Sequence, residues 1–139
     1  MRPDLDDLQG VKKFSPTRAF GASKAGNLLL TFALARRLEE TGITVNAYHP
    51  GIVRTKLMRD APLPMRLMSG ALNRLRGRSP EAAGEELADM ALSPSYDLMT
   101  GRLFHRGRPI RAPFEDDYDL QERLWEESER IAGLKDRRD

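Results

Sequence analysis

Between Leu28 and Ala35 the chain reads L-L-L-T-F-A-L-A, apolar on nearly every side of a 3.6-residue period. That pattern predicts a helix buried on two faces, running over 16–41. Ser15-Pro16 opens it, with serine at the capping position and proline in the first turn, and Gly42 supplies the stop. The period then shortens. The β-branched run I-T-V-N-A-Y predicts a strand over 43–49, closed by Pro50-Gly51. Residues 52–78 lack clean periodicity and are rich in Met, Pro, Leu and Arg. They are expected to carry one or two short helices, around Met58 and Met65–Leu75, in a segment long enough to serve as a substrate lid. Ser79-Pro80-Glu81 repeats the cap-plus-proline start and predicts a helix over 80–92, stopped at Ser93-Pro94. G-R-L-F-H predicts a second strand over 101–105, and 106–115, with Pro109 and Pro113, a connector. The last helix, 118–132, places Leu120, Leu124, Trp125 and Ile131 near one face and the pairs Arg123–Glu127 and Glu126–Arg130 on the other. Residues 1–14 read as an irregular polar arm and the tail K-D-R-R-D as solvated.

Helix, short turn, strand and Pro-Gly loop make the second half of a parallel crossover unit. Both predicted strands have the composition of buried, parallel strands, which are normally flanked by others and covered on both sides. The expected fold class is therefore α/β. About two strands and three main helices form the C-terminal half of a Rossmann-like, doubly wound parallel sheet, with 1–139 as a single partial domain. No G-x-x-x-G-x-G or G-x-G-x-x-G turn, the usual phosphate-binding opening of such a sheet, occurs in the sequence.

Composition narrows the classes. Apolar residues at 40% and charged residues at 32% describe a globular chain, not a disordered one. Mean hydropathy is −0.56 and no apolar run approaches ~18 residues, so no membrane-spanning segment is expected. Zero cysteines remove disulfides, thiolate ligands and a cysteine nucleophile, and suit a reducing, cytoplasmic compartment. Met1 leads into a polar, acidic stretch in which no secretory signal is visible. Two histidines, His49 and His105, are too few to suggest a zinc site, and no metal is expected. The net charge is only +2 and the basic runs Arg74–Arg78 and Arg102–Arg111 read as solvated faces, so no nucleic-acid partner is expected.

The candidate chemistry lies in Ser15–Gly51. Phe20 and Lys24 stand four apart, on one helical face near the end of the first strand. The run S-P-T-R-A-F-G-A-S-K-A-G-N-L-L, followed by I-T-V-N-A-Y-H-P-G-I-V-R-T, resembles the C-terminal half of a short-chain dehydrogenase/reductase, in the retinol dehydrogenase and WW-domain oxidoreductase subgroup. S-P-E-A-A-G-E, A-L-S-P, T-G-R-L-F and L-W-E-E-S-E-R-I-A-G-L agree with it, as does D-D-L-Q-G near the start, so that the likeness covers residues 4–134.

The resemblance implies hydride transfer between an alcohol or carbonyl carbon and NAD(P). In this family a Y-x-x-x-K pair does the acid–base work. A tyrosine hydroxyl has a pKa near ~10, and an ammonium group beside it favours the phenolate that exchanges a proton with substrate oxygen. Lys24 fills the lysine position and Phe20 the tyrosine position, where it brings no ionisable proton. Read from the residues alone, Phe20 is a core aromatic and Lys24 a snorkelling surface lysine. Pro50, Gly51, Val53 and Thr55 match the loop that borders the nicotinamide, with the Val53 backbone and the Thr55 hydroxyl as cofactor contacts beside Lys24. Without the resemblance the same loop is a strand-end turn. Met58, Met65 and Met68 line an apolar lid or simply pack. Asn27, Asn46 and His49 read as structural hydrogen-bonding residues.

Two functions follow. The first is an oxidoreductase acting on a small-molecule alcohol or carbonyl. Here it is represented by its C-terminal half, weak or inactive alone, either because the gene is truncated or because a complementing N-terminal half is encoded separately. The second is a non-catalytic remnant that pairs with another copy of itself or a partner through its apolar helix.

Overall fold

A computed structural model describes residues 2–57, 59–60 and 62–134. In order along the chain come a 3-10 turn at Leu5–Asp7, α1 (Pro16–Arg37), β1 (Ala47–Tyr48), α2 (Leu63–Arg76), α3 (Pro80–Leu92), a 3-10 turn at Pro94–Tyr96, β2 (Leu103–His105), β3 (Arg108–Ile110) and α4 (Tyr118–Ile131). The three strands form one sheet in the order β1-β2-β3. The fold is mixed α/β, a partial Rossmann-like arrangement, with four helices and three strands where three main helices and two strands were expected. β1 and β2 run parallel: the Ala47 amide donates to the Arg102 carbonyl (2.8 Å) and the His49 amide to Phe104 (2.8 Å).

β3 corrects the expected connector and makes the sheet mixed instead of all-parallel. His105 and Arg108 are joined by only Arg106 and Gly107, at φ +52° and +68°. Two left-handed residues are what a two-residue hairpin turn requires, and its twist matches that of the flanking strands. Arg106-Gly107 was the local signal for it.

α1 ends at Arg37, short of the expected 41. Beyond Arg37 the amides reach back three residues, Glu39 to the Arg36 carbonyl and Thr41 to Leu38. Glu40 then takes φ +66°, which breaks the helix before Gly42 (φ +79°) is reached. At the other end Ser15 is extended but its side chain makes no capping bond, whereas the Ser79 hydroxyl accepts from the Ala82 amide (3.1 Å) and caps α3 as its sequence suggests. The predicted strand 43–49 is paired as a strand only over Ala47–Tyr48. Ahead of it, the Val45 amide donates to Thr100 Oγ1 (3.1 Å) and the Asn46 side chain joins the Met99 carbonyl to the Arg102 amide.

The chain divides into two compact units. The first draws on 2–47, 99–103 and 110–134. In it α1 buries two faces. Leu29 packs with Leu120 and Leu124 of α4, and Leu5, Leu8, Leu30 and Phe114 close around them. Phe32 packs with Leu103 and Ala112 on the other side, beside Leu28 and Ala47. The arm thus contributes Leu5 and Leu8 to the core, and the Asp7 carboxylate folds it by accepting from the Lys12 and Lys13 amides. α4 buries Leu120, Gln121 and Leu124, while Ile131, expected on the same face, is exposed. Buried Gln121 donates from Nε2 to the Phe114 (2.8 Å) and Glu115 (3.0 Å) carbonyls and accepts from Arg36. Arg37 lies 4.1 Å over the Trp125 ring and pairs with Glu122. On the outer face of α4 Arg130 pairs with Glu127, three residues away.

The second unit draws on 48–57, 59–60, 62–98 and 104–109. Val53 and Arg78 form a parallel bridge, Arg54 donating to the Arg78 carbonyl (3.0 Å) and Arg78 to Ile52 (2.9 Å). Tyr96 stands edge-on to Phe104 and donates to the Gly107 carbonyl (3.2 Å). The expected lid region contains one described helix, α2, of 14 residues. Met58 and the tail 135–139 lie outside the described residues.

Candidate functional site

The candidate residues fall into one group in each unit. In the first, α1 carries Phe20 and Lys24 one turn apart, and Lys24 Nζ sits 5.6 Å from the Phe20 ring centroid. The ammonium faces the ring's electron-rich side. Phe20 is 60% exposed and is not the core aromatic its type suggests. An exposed phenylalanine at this place adds nothing to the core; Ala25, Leu29 and Phe32 bury the helix further along. Lys24 has no ion pair among the described residues. Ser23 does not face the pair, since its hydroxyl donates to the Phe20 carbonyl (2.8 Å). A recess of about 460 Å³ in this unit is lined by Lys12, Lys13, Arg18, Ser23 and Asn27 among others, and not by Phe20 or Lys24.

In the second unit the strand-end loop carries Pro50, Gly51, Val53 and Thr55. Gly51 sits at φ +74°, and a Cβ there would lie 3.3 Å from His105 Cε1, so both conformation and space call for glycine. The His105 ring is fixed, donating from Nδ1 to the His49 carbonyl (2.9 Å) and stacking at 5.2 Å on the His49 ring. The bridge to Arg78 uses the Ile52 carbonyl and the Arg54 amide. Residues alternate in a bridged strand, so the Val53 amide and carbonyl point away from Arg78. Thr55 is exposed, and its hydroxyl accepts a long bond from the Leu57 amide (3.4 Å).

One cluster escaped the sequence. Glu86 forms an ion pair with Arg78 and accepts from the Gly107 amide (2.8 Å). Tyr48 donates to the Ala83 carbonyl (3.2 Å) beside them. Burial and the neighbouring Glu86 charge push the Tyr48 hydroxyl above its ordinary 10.0. Burial also works against the Glu86 carboxylate, yet the Arg78 and Gly107 bonds outweigh it and hold Glu86 below 4.5. Arg78 and Glu86 stand eight apart across a helix start, a spacing with no local signature.

Residues 8–64 match the family model described as short chain dehydrogenase. The chain is 34% identical over 138 residues to retinol dehydrogenase 13 of Homo sapiens, covering 95% of this chain and 42% of that protein. Against retinol dehydrogenase 14 of Homo sapiens it is 33% identical over 135 residues, 94% of this chain and 40% of that protein. It is also 32% identical to the short-chain dehydrogenase TIC 32 A, chloroplastic, of Brassica napus, over 92% of this chain and 41% of that protein. The chain spans about two-fifths of the length of these curated relatives.

Proposed function

Because the chain belongs to the short-chain dehydrogenase family, we propose that it forms part of an NAD(P)-dependent site for hydride transfer on an alcohol or carbonyl compound. The observation that carries this reading is the exposed Phe20–Lys24 pair, one helical turn apart within the matched stretch. Lys24 is the cofactor-side cation, holding a ribose hydroxyl and favouring an oxyanion beside it. Phe20 occupies the place of the proton-exchanging tyrosine. In the loop of Pro50 and Gly51, the Val53 carbonyl fits the carboxamide NH2 of a nicotinamide nucleotide, and the Val53 amide and Thr55 hydroxyl can donate to its carboxamide or phosphate oxygens. When bound, that group supplies the hydride acceptor or donor. The relatives' name, retinol dehydrogenase, speaks for an alcohol as substrate. The composition without cysteine supports a cytoplasmic location.

In this reading the chain alone has little or no turnover, for two reasons. A missing general acid–base costs about 10²–10⁴ in rate, and no Gly-rich phosphate turn occurs among the 139 residues. Titrating the purified chain with NADH and NADPH is expected to give weak binding or none, and Phe20→Tyr is expected to restore no activity. Low-micromolar binding would overturn the first expectation, and measurable turnover by Phe20→Tyr the second. Loss of the residual binding on Lys24→Met would support the assigned role of Lys24. Unchanged binding in that variant would refute it.

A further inference from the structure

α2 presents to solvent the side that a packed helix hides. At helical spacing Leu67, Met68, Ala71, Leu72 and Leu75 form one stripe, and all five are exposed, Leu75 at 82%. The half-buried residues of α2 are Ser69 and Asn73, on the polar side. Hence what burial α2 has lies on its polar face, and its apolar stripe is uncovered.

The charges around the stripe say what covers it. Arg74 and Arg76 border it on opposite sides, and no acidic residue occurs from Ala61 to Pro80. Arg54 and Lys56 line one open groove together with Arg74, Thr55 and Asn73. Arg54 is held close there, since a Cβ on Gly77 would come within 2.6 Å of its Cγ. Among the described residues none of Arg54, Lys56, Arg66, Arg74 and Arg76 has an ion pair, whereas Arg78 is neutralised by Glu86. A second copy of the same face would offer Arg74 and Arg76 no carboxylate, since the segment carries cations only, and like charges do not favour that pairing. A sheet of phosphates under a hydrocarbon layer satisfies both the stripe and its cationic borders.

We propose that α2 is a membrane-surface helix. Its Leu and Met stripe enters the boundary between headgroups and acyl chains of an anionic phospholipid layer, while Arg74, Arg76, Arg54 and Lys56 take the lipid phosphates. The helix lies in the surface and does not cross it, and no helix among the described residues is long and apolar enough to cross a membrane.

Sedimentation of the 139-residue chain with vesicles tests this. Binding is expected to vesicles of phosphatidylcholine with about one-third phosphatidylserine, to weaken at 0.5 M salt, and to fall to background on phosphatidylcholine alone. The double variant Leu67→Glu with Leu75→Glu is expected to lose at least about tenfold in binding with its circular dichroism unchanged. Arg74→Gln is expected to lose about fivefold. No binding to anionic vesicles, equal binding to neutral ones, or full binding by the double variant would each overturn the proposal. So would a chain dimer that the double variant dissociates while vesicle binding persists.

Discussion

Gly51→Ala places a methyl group where both backbone and space refuse it, and the chain contains its own control. Gly51 and Gly42 have nearly the same left-handed conformation, φ +74° and +79°. A Cβ at Gly42 meets nothing within 4 Å, whereas at Gly51 it lies 3.3 Å from His105 Cε1. Gly42→Ala therefore measures the conformational cost alone, about 1–2 kcal/mol. Gly51→Ala carries the same cost plus that of moving the imidazole. The ring is held by its bond to the His49 carbonyl and by its stacking on His49. Displacing it forces an off-rotamer side chain at about 0.5–1.5 kcal/mol or gives up a bond of similar worth. The expected totals are about 2–3 kcal/mol for Gly51→Ala and 1–2 for Gly42→Ala. With a urea slope of about 1–3 kcal/mol per molar, the Gly51 variant unfolds roughly 1 M earlier than the parent. Urea unfolding followed by circular dichroism reads both, and adding His105→Ala to each variant isolates the contact. The reasoning fails if Gly51→Ala costs no more than Gly42→Ala, or if His105→Ala leaves the excess intact.

Three further outcomes rest on polar groups that are half-buried, Glu86 and Tyr48, or buried, Gln121. Glu86 is held below its ordinary 4.5, so its stabilisation is complete above that value and is lost as pH falls through the lowered one. Tyr48 is raised above 10.0, so its contribution is complete below pH 10.0 and is lost as pH rises past it. Glu86→Gln should flatten the acid side of an unfolding-midpoint profile and Tyr48→Phe the alkaline side. Some acid loss remains, because Glu122, held down by Arg37, and Asp7, held down by the Lys12 amide, titrate the same way. In Gln121→Met the shape is kept but the bonds to the Phe114 and Glu115 carbonyls are lost. It should destabilise by about 1–3 kcal/mol in urea unfolding, and parent-like stability would mean those carbonyls need no partner.

What could be read in the sequence follows from how local each cause is. The cap at Ser79 and the proline after it act within one turn, and so does the Phe20–Lys24 spacing. The α/β class follows from periodicity alone. The end of α1 depends on Glu40 adopting a left-handed backbone, which no propensity marks, whereas Gly42 is the stronger local stop signal. Pro109 disguised β3, although Arg106-Gly107 before it is a two-residue turn. Phe20 was expected in the core from its type, but burial is decided by which neighbours a face meets, and Leu29 and Phe32 meet them instead. The Tyr48–Glu86–Arg78 cluster joins distant parts of the chain and has no sequence period. The helical stripe of α2 is present in the spelling, but Pro62, Pro64 and scattered arginines broke the pattern around it.

The two sides of the small sheet are unequal in what they can accept. β3 forms one margin, and Pro109 within it has no amide to offer, so a strand arriving there finds a gap in its ladder. β1 forms the other margin. Ala47 and His49 turn their amides to β2, so that of Tyr48 points outward. Growth of the sheet is thus one-way. The outward amide of Tyr48 stands on the same border of the sheet as the loop that carries Gly51 and Val53.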